Sequence, residues 1–347
     1  MIHVIIPGEV STHLHDMMES AVEGGAYQVH KTSKDLPDLQ NCSLLFVVQL
    51  DEIGTNIPLL EMLTTLKRRG DDSLLGAQAA LIISSDTEYY TRSMTKTILF
   101  LANQMGCRFM GHPLVEVIGG FQNFMTWQKA LDLSLEEIAL ERAKSLGKRL
   151  LNYQPQIIKR PKIVALHSSN RRTSNTLILW DLVKNHLDVC DIQEFHVENG
   201  TVLDCIGCPY QTCKHYGMQT SCFYGGMMVT EIYPAIEAAD AIVWICPNYN
   251  NSVSANLIAV INRLTALYRK IKFYDKSIFA LVVSANSGGD SVSKQLFDSL
   301  NINKGFQLPP YFALTAIAND PGSIFWNPQI EEKAEVFAHN MLKEIKA

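Results

Sequence analysis

Short apolar, β-branched runs alternate with longer helical stretches along the whole chain, and this alternation restricts the fold more than any other feature. The runs are "IHVII", "CSLLFVV" and "AALIISS" in the first half, then "KIVALHSS", "AIVWICP" and "IFALVVSA" in the second. Each is apolar throughout rather than at every other residue, so each predicts a strand buried on both faces. Strands of that kind, separated by helices, build parallel sheets covered on both sides. The predicted fold class is α/β, doubly wound, and 347 residues are enough for two such domains with a core each.

The halves repeat one plan. Residues 79–109 run parallel to 279–308, with Ser84 and Ser284 each closing a strand before a helix. Each half then ends in a helical stretch of similar kind, "LEEIALERAKSLGKRLL" and "QIEEKAEVFAHNMLKEI", and the turn-rich "NYQPQIIKRPK" marks the join. Domains are expected over 1–154 and 160–347.

A net charge of -5 with scattered Lys and Arg offers no basic stripe for a nucleic acid. The longest apolar runs are too short to span a bilayer, and "MIHVIIPGEV" lacks the basic start and long apolar stretch of a signal peptide. A cytoplasmic protein without a membrane or nucleic-acid partner is expected. Four of the eight cysteines, Cys205, Cys208, Cys213 and Cys222, fall within the segment 204–222. In a reducing compartment such spacing points to metal binding or redox chemistry rather than structural disulfides.

Ligands of open parallel sheets bind beyond the carboxyl ends of the strands, and the second half has three distinctive loops there. "SSNRRTSNT" precedes a helix, whose free N–H groups, joined by hydroxyls, the Asn175 amide and the Arg171 guanidinium, suit a phosphate. "PNYNNSVSAN" exposes amides beside the flat ring of Tyr249, a combination suited to a heteroaromatic ring. "SANSGGDS" puts Gly288 and Gly289 where a ligand could come close to the backbone.

Taken in order and spacing, S-x-R-x-x-S-N-T, P-x-Y-x-x-S-V-S-A and the Ser-to-Gly-Gly loop resemble the flavodoxin-like NADPH-dependent FMN reductases over about residues 160–345. The resemblance implies two flavodoxin-like domains in tandem. It implies that Ser169, Arg171, Ser174, Asn175 and Thr176 hold the FMN phosphate. It also implies that Pro247, Asn248, Tyr249, Asn250, Ser252 and Val253 line the ribityl chain and ring, with Ser284, Asn286, Gly288 and Gly289 at the ring's other edge. Ser168 departs from the family, which usually has Gly there. The first half has none of the three loops and carries Glu88 and Tyr89 where the second has its glycines. One flavin per chain is therefore expected, with the first half a degenerate copy that stands in for a second subunit, or the whole chain in a homo-oligomer.

"DCIGC" resembles the start of the motif by which one branch of this family, the iron-sulfur flavoproteins, holds a four-iron four-sulfur cluster near the FMN. In C-x2-C-x4-C-x8-C the later spacings are looser, and "GGMM" replaces that branch's acidic pair. A cluster, a zinc ion and free thiols are the three alternatives. No G-x-G-x-x-G marks a separate dinucleotide domain. The function expected is FMN-dependent oxidation of NAD(P)H with a small electron acceptor. An electron carrier serving a redox partner protein and a zinc-stabilised flavin-binding module are the other readings.

Overall fold

The computed structural model describes residues 1–154, 158–169 and 173–346. Its contacts divide the chain into two units, 1–154 and 155–347. Each is a five-stranded, all-parallel sheet with helices on both faces.

The first unit contains β1 (Ile2–Ile5), α1 (Thr12–Val22), β2 (Tyr27–His30), β3 (Ser43–Gln49), α2 (Ile57–Arg69), β4 (Gln78–Ser85), α3 (Thr91–Asn103), β5 (Arg108–Ile118), the short α4 (Met125–Gln128) and α5 (Leu135–Leu151). The second contains β6 (Lys162–His167), α6 (Asn175–Lys184), β7 (Asp191–His196), α7 (Tyr210–Met218), α8 (Tyr233–Ala238), β8 (Ala241–Pro247), α9 (Ala255–Lys270), β9 (Ser277–Ser284), α10 (Gly289–Phe297), β10 (Ala313–Ile317) and α11 (Ile330–Lys346). Strand order is β2-β1-β3-β4-β5 in one sheet and β10-β9-β8-β6-β7 in the other. Counted from the start of each unit, both read 2-1-3-4-5, the flavodoxin-like order, in which the chain reverses direction across the sheet between the first and third strands. The expected fold class is the one observed.

Local chemistry sets the helix ends. The Asn56 side chain accepts the Leu59 N–H at 2.8 Å ahead of α2, and Ser134 and Glu137 form a reciprocal capping box at the start of α5. Inner strands supply the core. Leu45, Val47, Ala80 and Ile82 pack under Met18, Ile138 and Leu146 in the first unit, and Val243, Phe279 and Leu281 pack under Trp180 and Phe337 in the second. Met17, Met18 and Met228 are buried packing residues. Among the described residues, no helix is long and apolar enough to cross a membrane.

Candidate functional site

In the second unit, hydrogen bonds tie the loops at the carboxyl ends of β6, β8, β9 and β10 to one another. The Ser168 and Ser254 hydroxyls, 2.7 Å apart, join the first loop to the second. Asn248 Nδ2 donates to Ser284 Oγ at 3.0 Å and to the Ser287 carbonyl at 2.9 Å, joining the second loop to the third. Asn175 donates through Nδ2 to the Asp320 carbonyl at 2.8 Å and accepts the Ile324 N–H through Oδ1, joining the start of α6 to the loop after β10.

At the amino end of α6, Ser174 caps the helix through Leu177 N–H, and Ser169, Asn175 and Thr176 are buried beside it. Arg171 lies outside the described residues. The Ser169 hydroxyl is buried and has no partner among the described residues. It precedes α6 in the chain, and the start of a helix welcomes an anion. Because the Asn175 amide is spent on the loop after β10, a bound anion would meet this residue through its backbone.

The second loop makes a tight turn. Tyr249 and Ser252 bridge across Asn250 and Asn251, both in left-handed backbone (φ 55° and 58°) that asparagine tolerates better than most residues. The turn leaves Tyr249 57% exposed, so its ring face is open. Ser252 Oγ and Val253 N–H both donate to Gln295 Oε1 of α10, at 3.3 and 2.9 Å, which buries Val253 and turns Ser252 toward that helix. Pro247 is buried as the last residue of β8, and Asn250 is exposed.

Asn248 has both its N–H bonds made, whereas its Oδ1 is buried without a partner among the described residues. An acceptor in that state is costly unless a donor arrives. Gly288 (φ 87°) makes this arrangement possible, because a Cβ there would fall on Asn251 Oδ1 and 2.9 Å from Asn248 Nδ2. The room left by Gly288 is thus taken by the protein's own amides. Gly289 begins α10, facing Thr315, and the exposed Asn286 accepts the Ser287 N–H.

The first unit fills the corresponding strand ends differently. Ser11 Oγ donates to Gln49 Oε1 at 2.9 Å, and His13 Nε2 lies 3.2 Å from Ser11 Oγ and 3.3 Å from Ser84 Oγ, so these groups satisfy one another. Its second and third loops interlock as well, with the roles exchanged. The glycine is Gly54 on the second loop, and the Tyr90 ring, on a strained backbone (φ 79°), fills the space where its Cβ would be. The ring over Gly54 belongs to Tyr90, which is 40% exposed, and Tyr89 is 61% exposed.

The cysteine segment packs along α9. Asn256, near the start of α9, donates to the Val197 carbonyl, and Asn262 donates to Asp204 Oδ1. Further along, α7 rests directly on the helix. A Cβ at Gly217 would strike the Ala266 carbonyl oxygen, and Arg269 covers the Tyr210 ring at 4.7 Å. From Asn256 to Arg269 the helix rises about 20 Å. Sequence had suggested a loop able to fold around a cluster, but residues 210–218 are helical and anchored. All of Cys205, Cys208, Cys213 and Cys222 are free thiols, and no three Cys, His, Asp or Glu side chains among the described residues are arranged to hold a metal ion. The site does not fit a cluster or a zinc ion as it stands. Cys246, at the crevice end, is fully buried, and burial pushes its thiol far above the usual range. Gly217→Ala is expected to lift α7 from α9, read as faster proteolytic cleavage within 203–224 than in wild type.

Residues that sequence reading passed over are Asn251, Ser254 and Gln295, which fix the loops to each other, and Asp320, which receives Asn175. Only Ser254 and Asn251 lay in a quoted motif; Gln295 and Asp320 gave no signal of their own.

A parallel sheet with the 2-1-3-4-5 order and ligand-sized polar loops at its carboxyl edge defines a flavodoxin-like domain. The family model for NADPH-dependent FMN reductases matches residues 161–319, wholly inside the second unit. Over those residues the second unit is similar to that family. A search of curated proteins returns no match. Among solved structures, an NAD(P)H:quinone oxidoreductase from Methanothermobacter marburgensis is 13% identical, with 52% of this chain and 99% of that one covered at a TM-score of 0.40. A flavodoxin-type, WrbA-like protein from Agrobacterium tumefaciens is 14% identical, covering 53% and 99% at 0.34. RosB with a bound riboflavin-phosphate intermediate is 16% identical, covering 54% and 82% at 0.39.

Proposed function

We propose that the protein is an FMN-dependent oxidoreductase that takes electrons from NAD(P)H and passes them to a small acceptor such as a quinone or another flavin. The observation that carries this reading is the pair of orphaned polar atoms, Ser169 Oγ and Asn248 Oδ1, on loops tied together at the carboxyl end of the FMN-reductase-type domain. They offer a donor where a phosphate would lie and an acceptor where a ring N–H would lie. Ser169, Ser174 and Thr176, the backbone at Asn175, and Arg171 hold the phosphate in this reading. Pro247, Asn248, Tyr249, Asn250, Ser252 and Val253 line the ribityl chain and one edge of the ring, and Ser284, Asn286, Gly288 and Gly289 line the other. When bound, the flavin supplies hydride acceptance and electron transfer, chemistry that no side chain offers. Around it the protein's task is to bind, to orient and to leave one ring face open beside Tyr249 for the donor. The first unit holds no flavin in this reading, since its crevice is already filled by Tyr90, Ser11, His13 and Gln49.

The test is titration of the purified full-length chain with FMN, followed by NADH and NADPH oxidation with a quinone acceptor. One FMN per chain and turnover with at least one nicotinamide are expected. Absence of FMN binding would overturn the reading, and binding without nicotinamide oxidation would leave an electron carrier. Ser169→Ala removes one charge-assisted hydrogen bond, about 1.5–3 kcal/mol, and is expected to weaken FMN binding about tenfold or more.

A further inference from the structure

Of the four sheet edges in the two units, three are guarded against a further strand and one is not. In the first sheet, β5 is broken by a register shift against β4, Pro113 has no N–H to offer, and Arg149 of α5 donates to the carbonyls of Gly111 and His112 at 2.6 and 2.9 Å. At the other edge, β2 is four residues long. In the second sheet, β7 carries Asp191 and Glu194, the latter paired with Lys184 at 2.7 Å. The fourth edge is β10, the counterpart of β5 in strand order. Its sequence is ALTAI, with no charge, no proline and no break in its register against β9.

The hydrogen bonds at its two ends show which backbone groups of β10 are open. The Phe312 carbonyl accepts the Ala280 N–H, and the Ala318 N–H donates to the Ser284 carbonyl, so Leu314 and Ala316 between them face β9. The N–H and C=O groups of Ala313, Thr315 and Ile317 therefore point away from the sheet. Among the described residues only the Ile317 carbonyl has a partner there, Asn327 Nδ2 at 2.8 Å.

Beside this edge runs α11. Between the two lies a groove of about 360 Å³, with Ala313 and Leu314 on one side and Val336 and Phe337 on the other, and the only charged residues that line it are Glu332 and Lys333. Val336 is 61% exposed, and Ile317 is exposed as well. The bond from Asn327 to Ile317 brings the exposed Phe325 and Trp326 to the end of the same strand. Single apolar side chains on a surface are ordinary, but an open edge, an apolar groove and several such residues together mark a contact face.

We propose that β10 pairs with β10 of a second copy of this chain, antiparallel about a two-fold axis at Thr315, giving one sheet of ten strands, five from each copy. With Thr315 opposite Thr315, each of these residues donates and accepts one bond, and the Ile317 N–H of either copy meets the Ala313 carbonyl of the other. Charge selects a second copy over a charged peptide. The strand has no charge to face its like across the axis, and each groove holds one carboxylate and one ammonium, so two grooves meet without net repulsion and an acidic or basic partner gains nothing. A stable interface covers roughly 800 Å² on each partner, more than a five-residue strand supplies. The exposed side chains of Val336, Phe325 and Trp326 supply the remainder. This face does not rest on the flavin reading, since it needs neither FMN nor a nicotinamide.

The test is sedimentation velocity of the full-length protein over a wide range of concentration, with hydrogen exchange of the segment 311–318 followed by mass spectrometry. A dimer is expected, with slower exchange in that segment than in the diluted monomer. Val336→Lys, a change at an exposed helix position, should weaken dimerisation at least tenfold and leave FMN affinity unchanged. Thr315→Lys and Thr315→Glu each set like charges against one another at the axis and should give monomers, whereas mixing the two variants should restore a dimer. If the Thr315 variants do not fold, Val336→Lys and the exchange data still decide. A monomer at every concentration would overturn the proposal, as would a dimer whose exchange over 311–318 does not change on dilution or whose affinity Val336→Lys leaves intact. Folded Thr315 variants that stay monomeric when mixed would overturn the two-fold pairing.

Discussion

Gly288→Ala is expected to weaken FMN binding at least tenfold while the chain still folds. Gly288 sits at φ 87°, where any side chain adds strain, but strain is the smaller effect. The added carbon would collide with Asn251 Oδ1 and press on Asn248 Nδ2, so Asn248 must give up its bonds to Ser284 Oγ and the Ser287 carbonyl. Once it swings, the Oδ1 acceptor no longer points where the two bonds had fixed it. Loss of one oriented ligand bond is about 1.4 kcal/mol, a factor of ten in affinity. Flavin fluorescence titration measures this directly. Gly200→Ala is the control, since Gly200 has similar backbone (φ 83°) with nothing near a new Cβ; it should leave FMN affinity unchanged. Equal loss in both variants, or none in either, would show that Asn248 is not a flavin contact.

In the first unit the largest effect is expected from Gly147→Ala, a loss of about 3 kcal/mol or more of stability. Gly147 lies inside α5, where alanine would ordinarily be favoured by about 1 kcal/mol, so helix propensity predicts the opposite sign. Packing decides. A Cβ at 147 would fall on the Ala21 carbonyl group of α1, 3.0 Å from its Cα, and no rotamer change can relieve a clash between two helix backbones. Denaturant unfolding followed by circular dichroism should show a lower midpoint. A midpoint at or above that of wild type would mean that α1 and α5 do not cross this closely.

The inner strands of both sheets were legible because burial on two faces leaves continuous apolar runs. The outer strands were not. β2 (Tyr27–His30) and β7 (Asp191–His196) lie at sheet edges with one side exposed, so "YQVH" and "DIQEFH" mix polar with apolar residues as loops do. β5 is broken by an irregular register against β4 between Ala79 and Leu81, with His112 at φ 51° before Pro113. At the site, the loops were found from residue type and order, but not which atoms remain unpaired. Asn175 reads like a phosphate contact and is turned to Asp320; Gly288 reads like room for a ligand and makes room for Asn251. Such outcomes depend on neighbours far apart in sequence. The cysteine spacing likewise gave no hint that Gly217 would seat α7 on α9.

The exchanged positions of the loop glycines have a bearing on how the two halves can change. To give the first unit the second unit's loop pair, Gly54 would have to gain a side chain and Tyr90 would have to lose one. The step at Gly54 is harmful by itself, because a side chain there meets the Tyr90 ring. The two substitutions are epistatic: a side chain at 54 is tolerable only once the ring at 90 is gone. Change in this loop pair therefore has an order, position 90 before position 54.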